Sequence, residues 1–167
     1  FALSHGVHRG VLKSGKIDDR INFIEKLRKI TSNVKFDIYG VDKVQPIWAD
    51  HYFKTIANAK MGLNLSRGEA IKYYSSDRIT QIIGNGLVCL IDQKTEYGDF
   101  FSNKEMVFYK NLSDLSEKIS KLSKDEKLRK SIGKKGKEKY MKYFNSKLVA
   151  QFIIDKTLGI ENKNKYI

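Results

Sequence analysis

The sequence contains one cysteine, one proline and one tryptophan. A single thiol, Cys89, cannot close an intrachain disulfide, and it excludes any zinc site built on several cysteines. It fits a reducing compartment, and its place inside the most apolar stretch, residues 87–91, makes it a core residue. No segment reaches the ~20 consecutive apolar residues that a membrane span needs. No charged-then-apolar segment opens the chain as a signal peptide would. The three histidines, His5, His8 and His51, have no neighbouring carboxylate pair, so no metal and no cofactor is expected. Internal repeats and low-complexity linkers are lacking too. The sequons at Asn64 and Asn111 are accidental in a chain without secretory signals. The chain opens on Phe1 within an apolar run, and is read as a piece of a longer protein cut at a strand.

Positive charge, by contrast, is abundant. The 167 residues hold 32 Lys+Arg against 19 Asp+Glu, a net +13. Residues 118–147, from Lys118 to Lys147, hold twelve of the basic residues against three acids, and so carry nine of those thirteen charges. Arginine is scarce, with only Arg9, Arg20, Arg28, Arg67, Arg78 and Arg129. Reading base edges or gripping phosphates bidentately leans on arginine, so nucleic acid is not an expected partner. The lysines read instead as the wet side of amphipathic helices whose apolar positions, Leu128, Ile132, Tyr140 and Phe144, turn inward. The competing reading is a non-enzymatic domain that binds nucleic acid or an anionic membrane through these basic helices. The expected location is cytoplasmic, with room for a peripheral contact at the inner face of the membrane.

With 41% hydrophobic and 31% charged residues, the chain suits one globular domain over 1–160 and a polar tail over 161–167. A short apolar strand over 1–4 leads into a glycine-containing loop. Asp18 or Asp19 caps a helix whose stripe is Ile21, Ile24, Leu27 and Ile30. Residues 34–39 alternate as a strand does, and Gly40 stops it. A short helix over 51–59 turns Tyr52, Phe53 and Ile56 inward, and a strand over 61–65 follows. Residues 77–85 form a helix with Ile79, Ile82 and Ile83 on one side and Gly86 as its stop. Residues 87–91 are apolar throughout, the mark of a strand covered on both faces. A short helix over 97–101, a strand over 106–109 and a helix carrying Leu112, Leu115, Ile119 and Leu122 come next. Helices over 124–135 and 137–158 close the domain, with Tyr140, Phe144, Leu148, Phe152 and Ile153 on one side. This alternation predicts an α/β fold with a doubly wound parallel sheet and C-terminal helices. Ligands of such sheets bind beyond the carboxyl ends of the strands, here the loops 5–16, 40–50, 66–76 and 92–97.

Two of these loops carry candidate chemistry. The first combines glycines with Arg9, Lys13 and Lys16 ahead of a helix, a setting that suits phosphate. The third holds Arg67, then Ser75, Ser76 and Asp77 as caps, then Arg78. Two of six arginines at one strand end favour an anionic ligand. A receiver domain would need clustered acids at the strand ends, where only scattered Asp42, Asp92 and Glu96 occur.

The order of motifs from Met61 to about Tyr143 resembles the donor half of GT-B glycosyltransferases, in the group-1 family that includes the spore-maturation-type proteins. The resemblance rests on Asn64-Leu-Ser-Arg67, on the run from Tyr73 through Arg78 and Gln81 to Asp92, on the aromatic turn 97–101, on Tyr109-Lys-Asn-Leu-Ser-Asp-Leu115, and on Arg129-Lys-Ser-Ile-Gly133. It implies a Rossmann-like half of a GT-B fold that binds a nucleotide-diphosphate sugar, with the acceptor on an N-terminal domain. Arg78 or Arg67 would then neutralise the diphosphate, joined by Arg9 with Lys13 or Lys16 from the first loop. Cations there stabilise the leaving nucleotide with no metal required. Tyr74 and Ser76 belong to the same donor-binding set, and the Asp77 region caps the helix aimed at the phosphates. Gln81 stands where the family has a glutamate that accepts ribose hydroxyls, and Gly84 replaces a small alanine in close helix–strand packing. As an isolated domain the chain is expected to bind nucleotide and catalyse little.

Overall fold

The computed structural model describes residue 12, residues 15–41 and residues 43–160. The expected strand over 1–4 and the tail over 161–167 lie outside these residues. The described elements are α1 (Arg20–Ile30), α2 (Ala49–Asn58), β1 (Met61–Asn64), α3 (Asp77–Gly84), β2 (Val88–Asp92), β3 (Val107–Tyr109), α4 (Leu112–Lys124), α5 (Glu126–Phe144) and α6 (Ser146–Thr157). Two 3-10 turns, Gln93–Thr95 and Tyr97–Asp99, fill the connection from β2 to β3.

The apolar run at 87–91 becomes the central strand. β2 pairs in parallel with β1 on one side, Leu63 opposite Leu90, and with β3 on the other, Leu90 opposite Val107. Successive side chains of a strand point to opposite faces, so β2 divides the core in two. Val88 and Leu90 pack with Ile24 and Leu27 of α1 and with Leu115, Ile119 and Leu122 of α4. Cys89 and Ile91 pack with Ile79, Ile82 and Ile83 of α3, with Tyr97, Phe101 and Met106, and with Tyr140 of α5. Helices on both faces of a parallel sheet give the expected doubly wound, Rossmann-like arrangement. Cys89 is a core residue, and its burial pushes the thiol pKa up to about 12.

Several expectations need correction. In α1 the stripe is buried at Ile24 and Leu27, but Ile30 is 52% exposed. Residues 34–39 do not form a strand with a ladder, although Val34, Phe36 and Ile38 pack against the core in the expected alternation. In α2, Tyr52 and Ile56 are half-buried, but Phe53 is 62% exposed. Position 53 lies about 100° round the helix from position 52, and in α2 the inward face takes Tyr52 and Ile56 one turn apart and leaves Phe53 outside it. The C-terminal helices break at Asn145, not at Gly136, because Asn145 caps α6 by accepting the N–H of Leu148 (3.0 Å). Of the expected inward row, Tyr140 is buried and Leu148 half-buried, whereas Phe144, Phe152 and Ile153 are exposed. Among the described residues, no helix is long and apolar enough to cross a membrane.

Gly136 stays helical because α5 lies against backbone. A Cβ on Gly133 would come within 2.1 Å of the Gly86 carbonyl oxygen, and one on Gly136 within 2.3 Å of the Glu105 carbonyl oxygen. Both carbonyls sit just before strands, so α5 closes the amino-terminal end of the sheet at β2 and β3. Gly84 does not serve this purpose, since a Cβ there would meet only Met141 of α5, at 3.5 Å. The close approach of α3 to the sheet is made by Gly62, where a Cβ would fall 2.4 Å from Ile82. Arg129 is buried on α5 and donates to the Leu122 carbonyl (2.8 Å), fastening the end of α4. Most lysines of α5 face water, as Lys130 and Lys134 do at 76% and 78% exposure, whereas Lys139 is half-buried against Glu105 and the Phe101 ring.

Overpacking against rigid backbone costs ~1–3 kcal/mol. Gly133→Ala is therefore expected to lower the unfolding free energy by at least that amount in urea melts. Gly98→Ala, with nothing within 4 Å of the added methyl, should leave the midpoint nearly unchanged.

Candidate functional site: an arginine cluster at the carboxyl end of the sheet

Strand β1 ends in Asn64, a buried side chain whose Oδ1 accepts a hydrogen bond from Ser76 Oγ (2.8 Å). This bond ties the strand end to the residue that opens α3. Ser76 does occupy the N-cap position, but its hydroxyl serves Asn64 and makes no cap bond. Asp77 lies exposed in the first turn of α3. Arg78 follows, and its Nη2 donates to the Leu65 carbonyl (2.9 Å), which fixes the guanidinium just past the end of β1. Burial, and then the positive charge of Arg20, lower the Arg78 pKa, while Tyr74, Tyr52 and Asp18 act in the opposite sense. A guanidinium stays charged at neutral pH all the same.

Asp18 is the centre of this charge group. Arg20 grips it side-on, Nε to Oδ1 at 2.9 Å and Nη2 to Oδ2 at 2.6 Å. Arg67 reaches it from the loop after β1, with Nε 3.6 Å from Oδ2. The Asp18 carboxylate also accepts the backbone N–H of Arg20 (3.2 Å), which secures the start of α1. The hydrogen bonds from Arg20 hold its pKa below the ordinary carboxylate value, against the opposing effect of burial. Asp18 and Arg20 are only 8% and 15% exposed in their side chains, whereas Arg67 is 43% exposed. Arg20 and Arg67 thus meet at one carboxylate, and Arg78, which feels the charges of both Arg20 and Asp18, is fixed nearby past the end of β1, so the group holds three cations against one carboxylate.

The rest of the loop wall is tied down by short contacts. Tyr73 donates its backbone N–H to the Thr95 carbonyl (2.9 Å) and its hydroxyl to Asp99, and its ring meets Phe100 edge-on at 4.9 Å. Lys72 pairs with Glu96. These bonds clamp the loop after β1 onto the turns after β2, and leave Tyr74 exposed beside Arg78. Lys16 forms an exposed pair with Glu69 (3.1 Å), and the Leu12 side chain lies against Gly68. The described end of the first loop therefore meets the third loop. Arg9 and Lys13 lie outside the described residues. Gln81 accepts a hydrogen bond from the Tyr52 hydroxyl through Oε1. Burial raises the Tyr52 pKa, so the phenol remains a donor at neutral pH.

Of the residues singled out in the sequence, the structure brings Arg67, Arg78, Tyr74 and Ser76 to one strand end, and Lys16 to the rim of the loop beside it. It adds three that the sequence reading left out of the site: Asp18, Arg20 and Tyr52. One signal for Arg20 was available. A cation in the first turn of a helix opposes the helix dipole, so an arginine there needs a local reason, and Asp18 supplies it. Among the described residues, no three His, Cys, Asp or Glu side chains gather where they could hold a metal ion.

A family model described as glycosyl transferase-like matches residues 20–155. No curated protein and no solved structure matches the chain. The matched stretch takes in all three described strands of the parallel sheet together with Arg20, Asn64, Arg67, Arg78 and Gln81. It spans well over half of the sequence, and the chain belongs to the glycosyl transferase-like family.

Proposed function

We propose that this chain is the donor-binding domain of a GT-B glycosyltransferase, of the group-1, spore-maturation-type kind, whose donor is a nucleotide-diphosphate sugar. The observation that carries the reading is the gathering of Arg20, Arg67 and Arg78 beyond the carboxyl end of β1, where open α/β sheets bind their ligands. In glycosyl transfer from such a donor, the bond from the sugar to the diphosphate breaks and negative charge builds on the departing nucleotide. Fixed cations at that place are stronger in the transition state than in the ground state, which is the requirement for catalysis. Arg78, anchored by the Leu65 carbonyl, and Arg67, from the start of the same loop, are assigned to the diphosphate, with Arg20 beside them.

Lys16, Arg9 and Lys13 are assigned to the same anion from the first loop. For Lys16 this means exchanging its exposed pair with Glu69, an interaction worth little in water. Ser76 and Asp77 shape the start of α3, and Tyr74 borders the ligand. Gln81 takes the ribose, exchanging the Tyr52 hydroxyl for a sugar hydroxyl at Oε1. The acceptor and any general base are assigned to an N-terminal domain of the same protein, so the isolated chain binds donor without turning it over. No resident cofactor is part of this reading, and the setting is the cytoplasm.

UDP or GDP added to the chain at millimolar level is expected to shift the backbone amide signals of Arg20, Arg67, Arg78 and Gln81. A panel of nucleoside diphosphates that leaves all four unmoved would remove the donor-domain reading. Hydrogen bonds to charged groups contribute ~1.5–3 kcal/mol. Arg78→Gln should accordingly weaken binding of the preferred nucleotide by about ten- to a hundred-fold in a calorimetric titration. Lys134→Gln, on the water-facing side of α5, should leave it unchanged, and equal losses for both variants would point to non-specific attraction instead.

A further inference from the structure

The carboxylate at the centre of the arginine group has a consequence for the ligand. Asp18 Oδ2 lies 2.6 Å from Arg20 Nη2 and 3.6 Å from Arg67 Nε, and Oδ1 lies 2.9 Å from Arg20 Nε. A carboxylate gripped along one edge of a guanidinium and approached by a second is the arrangement by which proteins bind a phosphate oxygen pair. Here the protein supplies that anion from its own chain. The side chain is 8% exposed, so the charge is screened little by solvent. The groups that face it are Arg20 from α1 and Arg67 from the loop after β1, and the charge of Asp18 is felt in turn at Arg78 of α3.

We infer that Asp18 is a built-in counter-ion that limits the affinity of the arginine site for phosphate-bearing ligands. This rests on the reading that the site takes a nucleoside diphosphate. In the empty site the carboxylate offsets one of three cations and engages the Nε–Nη2 edge of Arg20. An arriving diphosphate meets a site of lower net charge and is repelled by a fixed negative group beside its own oxygens. The effect grows with the charge of the ligand, since Coulomb energy is proportional to it, and is absent for a neutral nucleoside. A moderate affinity for the nucleotide product follows, which favours release of the spent nucleotide after each transfer.

The charge and the helix-start contact of Asp18 can be separated by substitution. Besides its contacts with the Arg20 and Arg67 side chains, Asp18 accepts the N–H of Arg20 at the start of α1, and asparagine or serine can accept that N–H as well. Asp18→Asn and Asp18→Ser therefore remove the charge while keeping an acceptor at that place. The 167-residue chain and both variants are to be titrated calorimetrically with UDP, GDP, inorganic pyrophosphate, uridine and guanosine. The expected result is binding of the preferred nucleoside diphosphate about ten-fold tighter in either variant, from removal of one nearby like charge, with the nucleosides unchanged.

Unchanged or weaker diphosphate binding in both variants, with the parent chain binding normally, would overturn the counter-ion role and leave the donor reading standing. An equal gain for nucleosides and diphosphates would also overturn it, because a charge effect cannot act on a neutral ligand. Absence of binding by all three proteins would overturn the donor reading and this inference together. Loss of cooperative melting in both variants would assign the charge to folding, and overturn the inference as well.

Discussion

Strand β2 is buried along both of its faces, and this single constraint organises the molecule. Val88, Cys89, Leu90 and Ile91 are all closed to solvent, so each side of the sheet must be roofed by helices. A chain can roof both sides of a parallel sheet only by crossing over between strands. Each crossover returns the chain to the same end, and the strand-to-helix loops collect at the carboxyl edge. The opposite edge is sealed by α5, whose Gly133 and Gly136 rest on the carbonyls of Gly86 and Glu105. A ligand site has only one end of the sheet left to occupy, and the arginines are found there.

The same constraint separates two populations of positive charge that the composition adds together. The lysines of α5 ride on a helix held at the amino-terminal edge by its glycines, and Lys130 and Lys134 form solvent-exposed pairs with Glu126 (2.6 Å) and Glu138 (3.9 Å) one turn away. Such pairs contribute a few tenths of a kcal/mol and leave the cations to water. The arginines at the other edge are held by buried or half-buried partners, namely the Leu65 carbonyl for Arg78 and Asp18 for Arg20. Arg129 has a third use, with its guanidinium buried on the last carbonyls of α4. Lysine and arginine are thus divided by role, with guanidinium used where geometry matters.

Much of the sheet was legible in the sequence because its signals are local. The unbroken apolar run at β2, the Ile79–Ile82–Ile83 side of α3 and the stop at Gly86 need no knowledge of the rest of the chain. Residues 34–39 misled for the opposite reason. Their alternation reports that Val34, Phe36 and Ile38 touch the core, but a strand also needs a ladder partner, which alternation does not encode. Gly136 looked like a helix break because a glycine weakens a helix, and only the Glu105 carbonyl explains its presence there. At the site, Arg67 and Arg78 stood out through the scarcity of arginine and their place at a strand end. Asp18 or Asp19 is the expected cap of α1; Asp19 takes the cap position without a side-chain cap bond, while Asp18 accepts the N–H of Arg20, and the contact of Asp18 with Arg67 joins residues 49 positions apart. The bond of Tyr52 to Gln81 likewise joins α2 to α3, and no pattern within either helix announces it.

Arg20 shows why such contacts mark a site and not merely a stable fold. A cation in the first turn of a helix loses ~0.3–1 kcal/mol to the dipole. Two guanidinium groups brought close in a half-buried setting repel by an amount on the order of a few kcal/mol. A neutral residue at position 20 would avoid both costs, and the N–H it carries could still be capped by Asp18. The arrangement keeps the unfavourable cation and places a buried carboxylate beside it, so that the group as a whole stays positive. Local rules broken at one place, with the compensation close at hand, are what a binding site leaves in a structure. At the end of β1 Asp18 offsets only one of the three arginines, and the proposed diphosphate is an anion of the kind that would complete the compensation.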